Sequence, residues 1–177
     1  MLHSRQGWLA HPHSLPHSLR LWLSDRGSLT QRLKSRCDSF RVVPLATGLA
    51  RPNPDEYALL GLAPGTRAYV REVLLLCNEV PVVFAHSVLP HASLRGGWNG
   101  ITRLGSRPLG EALFSNSRIL RQPLAFHRLR HDHPLFGAIT QQQTLAVSSL
   151  WARRSVFCLN GHPLLVTEVF LPAIDAL

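Results

Sequence analysis

Acidic residues are scarce in this sequence, and lysine is almost absent. The 177 residues contain 10 Asp and Glu against 19 Lys and Arg, a formal net charge of +9, and Lys34 is the single lysine. Only 16% of the residues are charged, whereas 45% are hydrophobic. This balance excludes an intrinsically disordered chain, and the length suits one domain with a sizeable core.

Long apolar runs and paired cysteines are also missing. The longest apolar runs, 73–77 and 80–85, are far below the roughly 18–20 residues that a membrane-spanning helix needs. The cysteines are odd in number and show no CxxC spacing, which argues against a disulfide framework or a zinc knuckle. Because residues 1–23 show no apolar core of a secretory signal, we expect a cytoplasmic protein with free thiols. The three cysteines are Cys37, Cys77 and Cys158.

The arginines are spread along the chain instead of forming one basic patch. The densest stretch, 118–130, contains only Phe126 as an aromatic residue. Single-stranded nucleic-acid sites interleave basic and aromatic side chains, so we expect no nucleic-acid partner. A nucleic-acid-binding domain stays open as an alternative, and it would show salt-dependent retention on DNA or RNA. A positive field also suits the steering of a small anionic substrate into a pocket.

The hydrophobic patterning predicts six strands and three short helices. A capping box at Ser28, Asn53-Pro54 and Pro108 mark the helix starts and predict helices at 28–36, 53–60 and 107–114. Runs of Val, Leu, Ile and Phe between turn residues predict the strands. These strands lie at 40–49, 68–76, 81–89, 117–127, 150–159 and 163–171.

Two predicted hairpins resemble each other. Asn160-Gly161 is a strong type I′ turn signal, and Asn78-Glu79 takes the same place in the earlier hairpin. Residues 78–90 align without gaps with residues 160–172. A repeat of hairpins predicts an antiparallel sheet with internal pseudo-symmetry, the alternative being chance similarity between two short apolar hairpins.

Glu168 and Arg71 are the main candidates for chemistry, because each is a charged residue in an apolar strand. A buried carboxylate is costly unless it is paired, protonated or bound to a ligand, and a buried guanidinium suits bidentate capture of a carboxylate. Two interpretations stay open. The two side chains form a buried ion pair with each other, or they bind a small molecule with a carboxylate at one end and a hydroxyl at the other.

Three histidines with metal-like spacing lie in a segment that reads as a loop. His127, His131 and His133 surround Asp132 in a stretch rich in Arg and Pro, so we expect solvated histidines and no metal site. The sequence shows no nucleophile elbow, P-loop or dinucleotide-binding glycine motif.

With these residues in view, the sequence resembles the bacterial chorismate–pyruvate lyase family. The resemblance covers residue 19 to the C-terminus. It is carried by five motifs in order: SLT at 28–30, REVLL at 71–75, PLG at 108–110, LWARRS at 150–155 and GHPLLVTEVFLP at 161–172.

The resemblance implies an α+β fold and an activity. The fold is a single domain with a six-stranded antiparallel sheet, flanking helices and flap segments over a buried ligand pocket. The activity converts chorismate into 4-hydroxybenzoate and pyruvate, the first committed step of ubiquinone biosynthesis. Members are cytoplasmic and monomeric and use no cofactor or metal, so chorismate is the expected small-molecule partner.

The resemblance also assigns roles to five residues. Arg71 takes the position that binds the ring carboxylate, and Glu168 takes the position that contacts the 4-hydroxyl group. Leu29 and Leu109 approach the carboxylate through backbone N–H groups. His86 falls where relatives often have arginine, and it is a further substrate-binding candidate.

Other arginines are candidates for the second carboxylate of chorismate, on its enolpyruvyl group. Arg153 and Arg154 are among them. Arg153 is also the counterpart of Arg71 in the hairpin repeat, because each lies seven residues before the asparagine of its turn.

The expected organisation has three parts. Residues 1–18 form a poorly ordered N-terminal extension, residues 19–177 form the lyase-like domain, and residues 122–149 form an elaborated loop or flap. The alternative function is a non-catalytic binding module for small aromatic acids, as in the effector-sensing domains of some bacterial transcription regulators. Those regulators carry a winged helix of roughly 60–70 residues, whereas 27 residues precede Ser28 here.

Overall fold

The computed structural model describes residues 7–11 and 15–177, and predictions on the other residues lie outside this part of the chain. Helices and strands alternate irregularly along it. The strands are β1 (Phe40–Ala50), β2 (Ala68–Cys77), β3 (Val80–Pro90), β4 (Leu120–Arg121), β5 (Ala125–Arg130), β6 (Ser149–Leu159) and β7 (His162–Phe170). The α-helices are α1 (His17–Ser24), α2 (Leu29–Lys34), α3 (His91–Leu94), α4 (Leu109–Ser115) and α5 (Pro134–Thr140).

The strands form one antiparallel sheet in the order β1-β2-β3-β7-β6-β4, and β5 also pairs with β6. This confirms the predicted α+β fold but gives seven strands instead of six. The strand predicted at 117–127 is split into β4 and β5, which pair with successive parts of β6. Pro123 lies in the break, where its missing N–H cannot continue a ladder.

Both hairpin turns have the predicted geometry. Asn160 and Gly161 have φ values of 51° and 79°, and Asn78 and Glu79 have 49° and 65°, so all four lie in the left-handed region of a type I′ turn. β3 pairs directly with β7, which places the two hairpins side by side in the centre of the sheet. The predicted repeat is therefore visible in the topology.

The two faces of the sheet are both buried, and the strand register defines them. One face, here called the pocket face, carries the aligned row Val73, Ala85, Glu168 and Arg153. The opposite face, here called the far face, carries the aligned row Glu72, His86, Thr167 and Arg154.

Different elements cover these two faces. Apolar side chains of α1, α2 and α4 pack with those of the pocket face, and α5 packs with those of the far face. Because every central strand is buried on both sides, its sequence reads as a nearly continuous apolar run.

One irregularity decides which residues reach which face. Leu75 pairs with Val83 whereas Leu76 pairs with Pro81, so Val82 is an extra residue in β3. Such a β-bulge shifts the alternation of the residues beyond it. The hairpin of β6 and β7 has no such shift. The gapless alignment of the two hairpins therefore fails beyond Val82, and Ser87 instead of His86 takes the place on the pocket face that corresponds to Glu168.

Three predictions of local structure need correction. The expected loop or flap at 122–149 is largely regular, since it contains β5 and α5, whose side chains Leu129, Leu135 and Ile139 are in the core. The helix predicted at 53–60 is reduced to one 3₁₀ turn at Ala58–Leu60. Helices α1, α3 and α5 have no counterpart among the predicted helices.

The third correction concerns residues 1–18, of which 1–6 and 12–14 lie outside the described residues. Trp8 is buried and donates a hydrogen bond from Nε1 to Asp55 at 2.8 Å. Leu9 exchanges two backbone hydrogen bonds with Phe126, and α1 begins at His17. The described part of this stretch is thus packed against the domain. None of the helices formed by residues 7–11 and 15–177 is long and apolar enough to cross a membrane.

Candidate active site

A cavity lies between the pocket face and the N-terminal ends of α2 and α4. The space between them and at the mouth amounts to about 600 Å³, open solvent included. Apolar side chains dominate its wall, with Arg71 and Glu168 among the few charged groups. The lining residues are Gly27, Leu29, Thr30, Val42, Arg71, Val73, Leu75, Ala85, Ser87, Pro108, Leu109, Gly110, Leu113, Phe114, Arg121, Phe157, Val166 and Glu168.

The roof of the cavity is formed where α2 and α4 begin. Leu29 and Leu109 are the first residues of these helices, so their N–H groups have no acceptor within the helix. The Ser28 hydroxyl caps α2 by accepting from the Gln31 N–H at 3.3 Å. Gly110 lets the two helices approach, because a Cβ there would lie 2.7 Å from Thr30 Oγ1. Two backbone donors therefore border one cavity.

Arg71 lies on the pocket face at one end of the cavity and is 2% exposed. Its Nη2 donates to the carbonyl oxygens of Gly105 and Arg107, both at 3.0 Å, which ties the segment before α4 to β2. Its Nε is buried and has no hydrogen-bond partner among the described residues. Burial lowers the pKa of Arg71 from its ordinary value. The guanidinium thus keeps donor capacity for an anion in the cavity.

Glu168 forms its ion pair with Arg153 and not with Arg71. Arg153 Nε donates to Glu168 Oε2 at 2.5 Å, and the two residues are direct register neighbours on β6 and β7. Arg71 lies one row along the sheet, paired with Ser87. The interpretation of a buried Arg71–Glu168 pair is therefore wrong, and both residues line one cavity from different rows.

Arg153 also anchors the chain between α1 and α2. Its Nη1 donates to the carbonyl oxygens of Trp22 at 2.8 Å and Asp25 at 2.6 Å. Arg153 is 1% exposed, whereas the Glu168 side chain is 17% exposed. The carboxylate therefore faces the cavity, and its cation is held behind it.

His86 and Arg154 lie on the far face, away from the cavity. His86 Nδ1 is 2.9 Å from Glu72 and its Nε2 is 3.1 Å from Glu56, and Arg154 forms an ion pair with Asp55. The prediction that His86 contacts substrate is not supported by this placement, because the bulge at Val82 turns Ser87 toward the cavity instead. Arg154 also lies on the far face, so it is not placed to bind the second carboxylate of chorismate.

The three histidines at 127–133 do not form one exposed cluster. His127 packs against Trp8 with ring centroids 5.3 Å apart, and His133 caps α5 by accepting from the Leu135 N–H at 3.2 Å. Burial lowers the pKa values of His127 and His133, while His131 is exposed. Only His131 matches the expectation of a solvated histidine.

The sequence analysis missed two contributors to the site. It did not identify Arg153 as the partner of Glu168, although the two residues lie at equal distances from the Asn160-Gly161 turn and therefore face each other in a regular hairpin. It also did not single out Arg121, which lines the cavity from β4. The signal for Arg121 was its place directly after the apolar pair Ile119-Leu120 in a predicted strand.

Solved structures with the same fold include ones described as transcriptional regulators of the GntR family. The chain superposes on the C-terminal domain of PhnF with a TM-score of 0.59 at 14% identity, covering 84% of this chain and 93% of that one. The effector domain of PhnF from Mycobacterium smegmatis gives a TM-score of 0.54 at 15% identity, covering 82% and 89%. At such low identity these similarities show the fold alone.

Sequence comparison is more specific. The chain is 60% identical over 168 residues to a probable chorismate pyruvate-lyase of Thiobacillus denitrificans, covering 95% of this chain and 90% of the relative. It is 50% identical to a probable chorismate pyruvate-lyase of Nitrosomonas europaea, covering 96% of each. The family model described as chorismate lyase matches residues 3–175. With a family match over nearly its whole length and relatives of such high identity, this chain belongs to the chorismate lyase family.

Proposed function

We propose that this protein converts chorismate into 4-hydroxybenzoate and pyruvate in the cavity between the pocket face, α2 and α4. The observation that carries the proposal is the placement of Arg71 and Glu168 in one apolar cavity without pairing with each other. The product has a carboxylate and a hydroxyl at opposite ends of a flat ring. A cation at one end and a carboxylate at the other match that distribution.

Arg71 receives the ring carboxylate in this proposal. Its unpartnered Nε supplies one donor, and the N–H groups of Leu29 and Leu109 supply two more. Charge-assisted hydrogen bonds of this kind are strong in a site from which water is excluded. The apolar walls, which include Val73 and Leu113, exclude that water.

Glu168 receives the hydroxyl group in this proposal. Arg153 occupies Oε2, so Oε1 is the oxygen directed to the ligand. In this proposal the carboxylate that Arg153 holds in place lies beside the ring carbon that loses its hydrogen, where it would stabilise developing positive charge.

The reaction itself needs positioning more than it needs reactive groups. The ring carbon bearing the hydroxyl transfers its hydrogen to the methylene carbon of the enolpyruvyl group, and the neighbouring ring C–O bond breaks. The electrons of the C–H bond become the new ring double bond, and those of the C–O bond become the carbonyl of pyruvate. Aromatisation drives this step, so the protein's main task is to hold the ether in the reactive geometry.

We also propose that the protein acts in the cytoplasm, as a monomer, in the first committed step of ubiquinone biosynthesis. The free cysteines Cys37, Cys77 and Cys158 support a reducing compartment. Because atoms and electrons balance between chorismate and the two products, the proposed reaction consumes no co-substrate and needs no redox cofactor.

The test is incubation of purified protein with chorismate alone, followed by quantification of both products. We expect 4-hydroxybenzoate and pyruvate in equal amounts, unchanged by EDTA. Loss of activity with EDTA and its restoration by one divalent metal would contradict the cofactor-free proposal.

The same measurement separates the enzyme from a binding module. The alternative function is that of a non-catalytic binding module, because regulator domains share this fold. Tight binding of 4-hydroxybenzoate without any turnover of chorismate would favour that alternative and overturn the proposed activity.

A further inference from the structure

Chorismate carries a second carboxylate that Arg71 and Glu168 leave unpaired. It belongs to the enolpyruvyl group, on the ring carbon next to the hydroxyl, so it lies at the Glu168 end of the cavity. A dry cavity that admits this charge needs a cation there. Arg153 is committed to Glu168 and to backbone carbonyls, and Arg154 lies on the far face.

Arg121 is a cation that lines the cavity at this end. It lies on β4 directly opposite Phe157 of β6. Its guanidinium stacks over the rings of Phe157 and Phe114 at 5.1 and 5.6 Å from their centroids. Its Nη1 donates to the Arg26 carbonyl oxygen at 2.7 Å, next to the chain that roofs the cavity. Two aromatic rings and one carbonyl therefore fix the guanidinium without neutralising it.

The Arg121 side chain has donor capacity that the protein does not use. Its Nε is buried and has no hydrogen-bond partner among residues 7–11 and 15–177. A buried unpartnered donor is uncommon, and at a cavity wall it indicates a ligand. Burial lowers the pKa of Arg121, while the charge of Glu168 acts in the opposite direction. An anion placed beside it would offset the cost of its burial.

We propose that Arg121 binds the enolpyruvyl carboxylate of chorismate and thereby distinguishes the substrate from the product. The inference rests on the proposed function and deepens it. Chorismate is a dianion that uses both Arg71 and Arg121, whereas 4-hydroxybenzoate has one carboxylate and uses Arg71 alone. Once the ring C–O bond breaks, the contact with Arg121 belongs to pyruvate and no longer holds the ring.

Arg121 also fixes the geometry of the reacting group. The ether has a freely rotating C–O bond, and the methylene carbon must lie over the hydrogen that it receives. A carboxylate held by Arg121 restricts that rotation, while Arg71 restricts the ring. Arg121 is a substrate-binding residue in this account, and it should affect both KM and kcat.

The test is the variant Arg121→Gln, with Arg118→Gln as the matched control in an exposed position of the same segment. We expect the KM for chorismate to rise about 10- to 100-fold, as for loss of one charge-assisted contact. The Kd for 4-hydroxybenzoate, measured by calorimetry, should change less than about threefold. Arg118→Gln should leave both constants unchanged.

The conservative variant Arg121→Lys keeps the charge and should restore much of the KM, which a role limited to stacking would not produce. An unchanged KM in Arg121→Gln would overturn the proposal, and so would an equal loss of affinity for chorismate and 4-hydroxybenzoate. If Arg121→Gln does not fold, Arg121→Met carries the test in its place: it keeps the length of the side chain but removes the charge, so the KM for chorismate should rise while the Kd for 4-hydroxybenzoate stays nearly unchanged. If the wild type binds but does not turn over chorismate, the proposed function fails separately, and the Kd for chorismate replaces KM in the same comparison.

Discussion

At the scale of single residues, the chemistry of the site depends on how two arginines are partnered. The Arg153 guanidinium donates hydrogen bonds to Glu168 and to backbone carbonyls, whereas the buried Nε of Arg71 has no partner among the described residues. Both residues occupy the same place in the two hairpins. In the proposed mechanism, one supports the Glu168 carboxylate and the other anchors the ligand.

Replacement of Glu168 by glutamine separates its catalytic role from its structural role. Gln keeps the shape but removes the charge, so we expect turnover to fall about 10²- to 10³-fold. The Kd for 4-hydroxybenzoate should change much less, because the amide can still accept from the hydroxyl.

Thermal unfolding of the same Glu168→Gln sample is the control. If Glu168 is only the structural partner of Arg153, the variant should lose about 3–5 kcal/mol of stability, because the buried Arg153 cation would be left without a counter-charge. A variant with near-normal turnover and near-normal melting would contradict both roles.

Replacement of Arg71 by alanine tests the carboxylate end. We expect the affinity for 4-hydroxybenzoate to fall by about 2–4 kcal/mol, the cost of removing one partner of a desolvated charge pair. The neutral ligand 4-hydroxybenzyl alcohol lacks the carboxylate and serves as the control, since its weak affinity should change little. Equal loss for both ligands would show that Arg71 acts only by holding Gly105 and Arg107.

At the scale of secondary-structure elements, the site is a junction between a rigid sheet and two short helices. α2 and α4 meet over the cavity through Thr30 and Gly110. The ligand in the proposed site lies beneath them, so their separation would widen the path by which it enters and leaves.

A methyl group at Gly110 tests this junction. The Cβ would lie 2.7 Å from Thr30 Oγ1, so in Gly110→Ala the Thr30 side chain must turn away or α2 and α4 must move apart. We expect faster release of 4-hydroxybenzoate, measured by stopped-flow fluorescence, and weaker binding.

Gly137→Ala is the control for Gly110→Ala, because a Cβ at Gly137 of α5 meets open space. The double variant Gly110→Ala with Thr30→Gly should recover slow release. Unchanged release in Gly110→Ala would show that these helices do not gate the cavity.

Much of the fold could be predicted at this scale. The turn at Asn160-Gly161 followed from its residue types, since few residue pairs suit two successive positive φ values. The turn at Asn78-Glu79 followed from the alignment of the two hairpins. The start of α2 followed from the Ser28 cap. Helix α5 could not be predicted, because its amphipathic pattern is short and flanked by residues typical of loops.

The residues of the site could be predicted from the sequence, but not which of them pair with each other. Arg71 and Glu168 stood out because charged residues are costly in apolar strands. The place of His86 could not be predicted, since the single extra residue Val82 turns it to the far face. A bulge depends on the twist and packing of neighbouring strands, which a gapless alignment of sequences does not contain.

At the scale of the whole molecule, the sheet separates two buried polar systems. The pocket face carries the cavity, and the far face carries the ion pairs of Arg154 and His86 with Asp55, Glu56 and Glu72. The far-face system holds the chain after β1 against the sheet. It therefore contributes to stability and not to ligand contact.

The far-face system predicts how stability depends on pH. Burial alone would lower the pKa of His86, but the carboxylates of Glu56 and Glu72 outweigh burial and raise it to about 9, from an ordinary value of 6.5. A raised pKa means that the folded state binds the proton more tightly. The resulting stability, on the order of 3 kcal/mol, is present below pH 6.5 and is lost as the pH rises through 9.

Chemical denaturation at pH values from 6 to 10 measures this dependence. We expect the free energy of unfolding to fall across pH 6.5–9 in the wild type, and to fall less in His86→Gln. The pKa values of His127 and His133 are lowered, so these residues change the free energy of unfolding below pH 6.5 and not across pH 6.5–9. Parallel curves for the wild type and His86→Gln would contradict the account.

The central claim is that one cavity binds the ring between Arg71 and Glu168. A crystal structure with 4-hydroxybenzoate tests it most directly. The account predicts the carboxylate on Arg71 and on the N–H groups of Leu29 and Leu109, with the hydroxyl on Glu168. A ligand in the reverse orientation, or a ligand on the far face beside His86, would contradict it.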